Sequence, residues 1–170
     1  MWDGIALTKF EADVLAALRL LAPGLVDLTF VSTPLSGGER IPIVKIIDSD
    51  EPLPLHSLGD GMLRALGISL ALVNAKDGIL LIDEFENGLY YTVQPELWQL
   101  IFQVAQRLNV QVFATTHSWD CIEAFQKADK RGHQEDGLLI RLESKQGGII
   151  PTLFDERQLG IATREQIEVR

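Results

Sequence analysis

Asp83 and Glu84 stand side by side at the end of an unbroken aliphatic run, Ile79-Leu80-Leu81-Ile82. A short continuous apolar run reads as a strand buried on both faces, as in a parallel sheet covered by helices. A desolvated carboxylate is costly unless it is paired or bound to a metal, so two adjacent acids at the end of such a strand call for a reason. Nucleotide chemistry supplies one, with the first acid on Mg²⁺ and the second on a water molecule. A plain core strand whose acids emerge into solvent supplies another. The hexapeptide alone does not choose between them, because four apolar residues followed by Asp-Glu form a common string.

Two further pieces bear on that choice. Val110 to Thr115 reads as a second buried strand, with Thr116, His117 and Ser118 directly after it. Ligands of open parallel sheets sit outside the carboxyl ends of the strands, and the two strands would deliver acids and then a histidine to that same edge. Taken alone, His117 reads equally as a solvated residue beside the helix cap that Ser118 can form. The third piece is the tight turn Leu58-Gly59-Asp60-Gly61 at the start of an apolar helix, Met62 to Asn74. A helix N-terminus behind Gly-x-Gly presents free backbone N–H groups and the positive end of a dipole, which suits a phosphate. Such a turn is also common for purely local reasons.

The elements that must position these residues follow in order. Residues 8–22 read as a helix, with Thr8 and Glu11 at capping-box spacing and Phe10, Val14, Leu18 and Leu21 on one stripe. Pro23-Gly24 ends it. Asp27 to Thr33 and Ile41 to Ile47 read as strands around a Gly-rich loop, and Pro42 marks the second as an edge strand. Asp48 to Pro54 is an acidic connector and the expected boundary between a helix-plus-hairpin segment, 1–54, and a lobe, 55–170. Pro95 suits the first turn of a helix whose stripe is Leu97, Ile101, Val104 and Leu108. Gly137 to Glu143 and Ile149 to Phe154 read as a hairpin across Gly147-Gly148, and Asp155 with Gln158 can cap a last helix. Strands alternating with helices predict an α/β fold, a mostly parallel sheet flanked by helices, with small antiparallel hairpins.

Composition limits the partners. The chain has 170 residues, enough for one domain with a real core. Its net charge of −9 argues against a general footprint for nucleic acid or for an anionic membrane. No apolar run reaches spanning length. With a single cysteine, Cys121, neither an internal disulfide nor a cysteine-based zinc site is expected, and a reducing, cytoplasmic setting fits.

Ser57 to Met62, Ile79 to Glu84, Glu86-Asn87-Gly88-Leu89 and Ala114 to Ser118 together resemble the C-terminal half of an ABC-type ATPase head. The nearest branch is the AAA-labelled ATPases similar to the OLD (overcoming lysogenization defect) nucleases and to the RecF and SMC heads. The resemblance implies a P-loop NTPase fold and ATP with Mg²⁺ as ligands. It implies that Leu58, Gly59, Asp60 and Gly61 form the signature loop, that Asp83 holds Mg²⁺ and that Glu84 is the base acting on water. His117 would be the switch residue at the γ-phosphate. Leu35-Ser36-Gly37-Gly38-Glu39 spells the usual signature more closely, but it lies 48 residues before Asp83 and leads into a strand, whereas Leu58 lies 25 before it and leads into a helix.

The chain departs from the family in two places. Gly59 stands where the signature has Ser, and Asp60 where it has Gly, so the hydroxyl contact to phosphate is lost while backbone contacts remain. No Lys of the chain follows a Gly, so G-x-x-x-x-G-K-[ST] is not among these residues. The Walker A strand and helix and the Q-loop are not recognisable either, and the resemblance places the first strand and the P-loop helix of a complete head upstream of Trp2. The expectation is therefore an ATP hydrolase in complete relatives and an inactive chain by itself. It would work with copies of itself or with a P-loop-bearing partner chain, or serve as a non-catalytic assembly module.

Overall fold

The computed structural model describes residues 2–32, 39–47, 49–129, 137–145, 147–165 and 167. Thr8 caps α1, Lys9–Leu21, by accepting from Phe10 N. Glu11 does reach back, but it accepts from Leu7 N instead of Thr8 N, because Leu7 turns left-handed (φ 62°) just before the cap. Val14 and Leu18 of the expected stripe are fully buried, and Phe10 and Leu21 pack half-buried against the same core.

After Pro23-Gly24 the chain enters β1, Leu25–Ser32, which pairs antiparallel with β2, Arg40–Ile46. The Leu35–Glu39 stretch lies almost wholly outside the described residues. β2 is not the edge strand that Pro42 suggested. It is the middle of three, because Leu53–Pro54 forms a short β3 on its other side. The proline is tolerated because β3 pairs only with Ile43 and Val44, leaving Pro42 beyond its reach. Phe30 O, opposite the proline, accepts from the Arg40 guanidinium.

A 3-10 turn, Leu55–Leu58, leads through Gly59 into α2, Asp60–Asn74. The chain continues as β4 (Ile79–Ile82), α3 (Gln94–Leu108), β5 (Gln111–Ala114) and α4 (Trp119–Asp129). It closes with the hairpin β6 (Leu139–Lys145) and β7 (Gly148–Phe154), then α5 (Glu156–Arg164). The Asp155 carboxylate accepts from Gln158 N while the Gln158 side chain accepts from Asp155 N, the capping box that the sequence pointed to.

β4 and β5 pair in parallel, from Ile79 with Gln111 to Ile82 with Ala114. Among the described residues parallel pairing is confined to these two strands, and the β1-β2-β3 and β6-β7 sheets are antiparallel. Neither parallel strand is buried on both faces. Leu80 and Ile82 point into the core, while Ile79 (61% exposed), Leu81 (74%) and Phe113 (50%) face outward. Strand side chains alternate, and helices cover one face only.

α2 and α3 are the two largest contributors to the core. Met62, Ala65, Leu66, Ile68, Leu72 and Val73 are buried on α2, and Leu97, Ile101, Val104 and Leu108 on α3. Val14, Leu18, Leu28 and Val44 join the same cluster, so residues on either side of position 54 share one core. Immediately after the acids, Phe85 is fully buried and stacked on Trp98, ring centroids 4.0 Å apart. Phe85→Ala is expected to cost ~3–5 kcal/mol of unfolding free energy, read from urea denaturation with an unchanged slope.

Candidate functional site

The β4–β5 register continues past the strand ends. Thr115 N donates to Ile82 O, and Phe85 N donates to Thr115 O, each at 2.9 Å. The Thr115 hydroxyl therefore falls between the two acids. It accepts from Glu84 N at 2.9 Å and donates to Asp83 Oδ1 at 2.6 Å. Glu84 itself has φ 45°, in the left-handed region that costs a side-chain-bearing residue about 1–2 kcal/mol. Such a conformation persists where its surroundings over-determine it. Asn87 Nδ2 donates to Glu84 Oε2, and one guanidinium nitrogen of Arg64 on α2 donates to both Asp83 O and Glu84 O.

The Gly59–Gly61 turn is seated against the loop that follows the acids. Gly59 has φ 100°, open only to glycine at low cost. A Cβ on Gly61 would lie 2.8 Å from Gly88 O, so the two backbones touch. Leu58 is half-buried against the core, and Asp60 opens α2 as an exposed residue. The helix start expected at Met62 thus falls two residues earlier, and the glycine turn is its cap.

His117 is exposed on the adjoining loop, and its backbone N donates to Glu86 Oε1 at 2.9 Å. Burial pushes the Glu86 carboxyl up. The hydrogen bonds it accepts from Thr116, from its own backbone and from His117 outweigh that and hold it below the ordinary carboxylate value. Ser118 caps α4, with its hydroxyl accepting from Cys121 N. Cys121 is buried, which pushes its thiol up to about 11 and leaves it protonated and inert at neutral pH.

The turn at Leu58–Gly61, the acids Asp83 and Glu84, and the His117 loop are thus linked at one end of the β4–β5 pair. Thr115, Glu86, Asn87 and Arg64 do the linking. Thr115 and Glu86 lay inside the motifs, but no rule of spacing singled them out. Arg64 gave no signal, because its partners are main-chain atoms far along the chain. Among the described residues, no group of three or more His, Cys, Asp or Glu side chains could by itself hold a metal. Mg²⁺ does not need one, since it is commonly bound by one or two carboxylates together with substrate phosphates. The exposed Asp83 carboxylate is a donor of that kind.

Residues 46–120 match the family described as AAA domain, putative AbiEii toxin, Type IV TA system. An ATP/GTP phosphatase of Helicobacter pylori (strain ATCC 700392 / 26695) is 35% identical over 83 residues. That match covers 47% of this chain and 22% of the phosphatase, so the chain spans about a fifth of that relative. A structure from work on ATP-driven dimerization and DNA-stimulated activation of SMC ATPases superposes with a TM-score of 0.63. It is 12% identical and covers 95% of this chain and 92% of the other. The chain has an ABC/AAA-like P-loop ATPase fold. The Smc head of Pyrococcus yayanosii, with a coiled coil and joint, shares that fold with a TM-score of 0.60 at 13% identity, over 94% of this chain and 29% of the other.

In this ATPase-head fold Glu86 ties the His117 loop to the loop after the acids. A carboxyl held below its unfolded value of 4.5 gives a tie that is fully present above pH 4.5 and is lost as the pH falls through the folded value. The His117 amide resonance is therefore expected to titrate with a midpoint below 4.5, and in Glu86→Gln that titration should vanish.

Proposed function

We propose that this chain is the C-terminal part of an ATP-binding, ATP-hydrolysing ABC/AAA-type ATPase, and that it is inactive until a P-loop is supplied to it. The observation that carries this reading is the convergence of Gly59–Gly61, Asp83-Glu84 and His117 on one end of the parallel pair, tied together by Thr115 and Glu86. A core strand with incidental acids would not need a hydroxyl held between them and a strained Glu84.

Each residue has a role under this reading. Asp83, oriented through Oδ1 by the Thr115 hydroxyl, would hold Mg²⁺. Bound with ATP, that ion would neutralise the charge that develops on the phosphates. Glu84 orients and deprotonates the attacking water, a contribution of ~10²- to 10⁴-fold in a complete site. Asn87 holds the Glu84 carboxylate until substrate is in place. His117 donates toward the γ-phosphate. Backbone N–H groups at Gly59, Asp60 and Gly61 present the signature loop to a nucleotide held on another chain, since in ABC-type heads the signature of one subunit faces the P-loop of the other. Phosphoryl transfer depends chiefly on gripping and positioning the phosphates, and no Lys in these residues stands in a P-loop context.

The outward apolar face of β4 and β5 favours an assembly role as well. Parallel sheets are normally covered on both sides, and Ile79, Leu81 and Phe113 are uncovered here. A second copy or a P-loop-bearing chain would cover them. If the chain serves only as an assembly module, Asp83→Asn and Glu84→Gln change stability alone.

Calorimetry on the isolated chain is expected to show no sub-millimolar binding of Mg·ATP. Mixing with a polypeptide that carries the P-loop half is expected to produce ATPase activity, and Glu84→Gln to reduce it by ~10²-fold or more without weakening assembly. No gain of activity on mixing would overturn the split-ATPase reading.

A further inference from the structure

We propose that Arg64 is a positioning residue that couples the Gly59–Gly61 loop to Glu84, so that a displacement of the loop is transmitted to the acid pair. The roles of the loop and of Glu84 rest on the function proposed above, while the coupling rests on geometry alone. Arg64 lies one turn into α2, the helix that the Gly59–Gly61 turn opens. From there a single nitrogen, Nη2, donates to Asp83 O at 2.6 Å and to Glu84 O at 2.7 Å. These carbonyls sit on either side of the left-handed Glu84 backbone, and hydrogen bonds from a charged donor are about twice as strong as neutral ones.

The first turn of α2 therefore touches the acid-bearing segment at two points. At its start, Gly61 abuts Gly88 O with no room for a Cβ between them. One turn on, Arg64 grips the carbonyls of Asp83 and Glu84. A helical turn packed against Gly88 O at its start and hydrogen-bonded through Arg64 one turn on cannot shift or rotate far without moving the backbone on which Glu84 stands. Thr115 fixes the opposite side of that backbone through Glu84 N and Phe85 N. Glu84 is thus held between an anchor on the sheet and a lever on the signature helix.

Hydrogen exchange of the isolated chain, followed by NMR, tests the coupling. The readout is the Phe85 amide, a buried reporter bonded to Thr115 O. Arg64→Met is expected to speed its exchange about tenfold while the amides of Leu72 and Val73, deep in the same helix, change less than twofold. Arg64→Lys keeps the charge without the planar fork and is expected to fall between, and it serves alone if the Met variant does not fold. Asp60→Ala, which perturbs the loop, is expected to change Phe85 exchange in the wild-type background and to lose most of that effect in the Arg64→Lys background. Equal responses in both backgrounds, or Phe85 exchange within twofold of wild type in Arg64→Met, would overturn the coupling. In the reconstituted ATPase, Arg64→Lys is expected to lower kcat severalfold with KM for ATP unchanged. Absence of ATPase in the wild-type mixture would sink the proposed function and leave the exchange result to decide the coupling.

Discussion

Four residue pairs, from Ile79 with Gln111 to Ile82 with Ala114, hold β4 and β5 in parallel register. Every feature of the site is measured from that register. It brings Thr115 level with the residues just past Ile82, so that one hydroxyl reaches both Glu84 N and Asp83 Oδ1. It also fixes which side chains enter the core. A slip of one residue would send Leu80 and Ile82 outward and bury Ile79 and Leu81 in their place. The same slip would carry the Thr115 hydroxyl away from the acids. The burial of two aliphatic side chains thus sets the geometry of a polar site that neither of them touches.

The site is irregular backbone on a regular scaffold. Glu84 is left-handed, and Gly59 and Gly88 take positive φ. The scaffold beneath is rigid, with Phe85 stacked flat on Trp98 and Trp98 in turn edge-on to Phe125. This aromatic column joins the segment just after β4 to α3 and α4 beneath the acids. The strain of one left-handed residue, about 1–2 kcal/mol, is small beside what that packing contributes. A left-handed Glu at this position directs its carboxylate out of the strand axis and leaves its N–H for the Thr115 hydroxyl, which a residue continuing the strand would not do.

Local signals read well from the sequence. The Thr8 cap, the Pro23-Gly24 stop, the α3 stripe and the Asp155–Gln158 capping box each depend on residues a turn apart, and all are present. The aliphatic runs located β4 and β5 but misjudged their burial, because an unbroken apolar run does not say whether anything covers the second face. Pro42 misled for a related reason: a proline needs only a missing neighbour at its own position, and the two-residue β3 stops short of it. Asp83, Glu84, His117 and the glycine turn were legible as residues of the right kinds at suggestive spacings. What binds them together was not, since Arg64 reaches main-chain carbonyls about 20 positions away and Glu86 reaches a backbone N–H 31 positions away. Local caps have a fixed spacing, but nothing in a one-dimensional pattern records a side chain whose backbone partner lies 20 or 31 positions away.

The hairpin carries apolar side chains that its partner elements do not cover. Ile140 faces Leu153 across the β6–β7 ladder and Leu142 faces Pro151, so all four share one face, and it is solvent-exposed. Ile79, Leu81 and Phe113 on the parallel pair are exposed apolar side chains as well. At neutral pH the net charge of −9 adds a repulsion that opposes association of copies. That repulsion disappears near the isoelectric point, about 4.7. Mild acid therefore removes the electrostatic opposition to contact between these surfaces, well before the carboxylates are fully protonated and the packing is challenged.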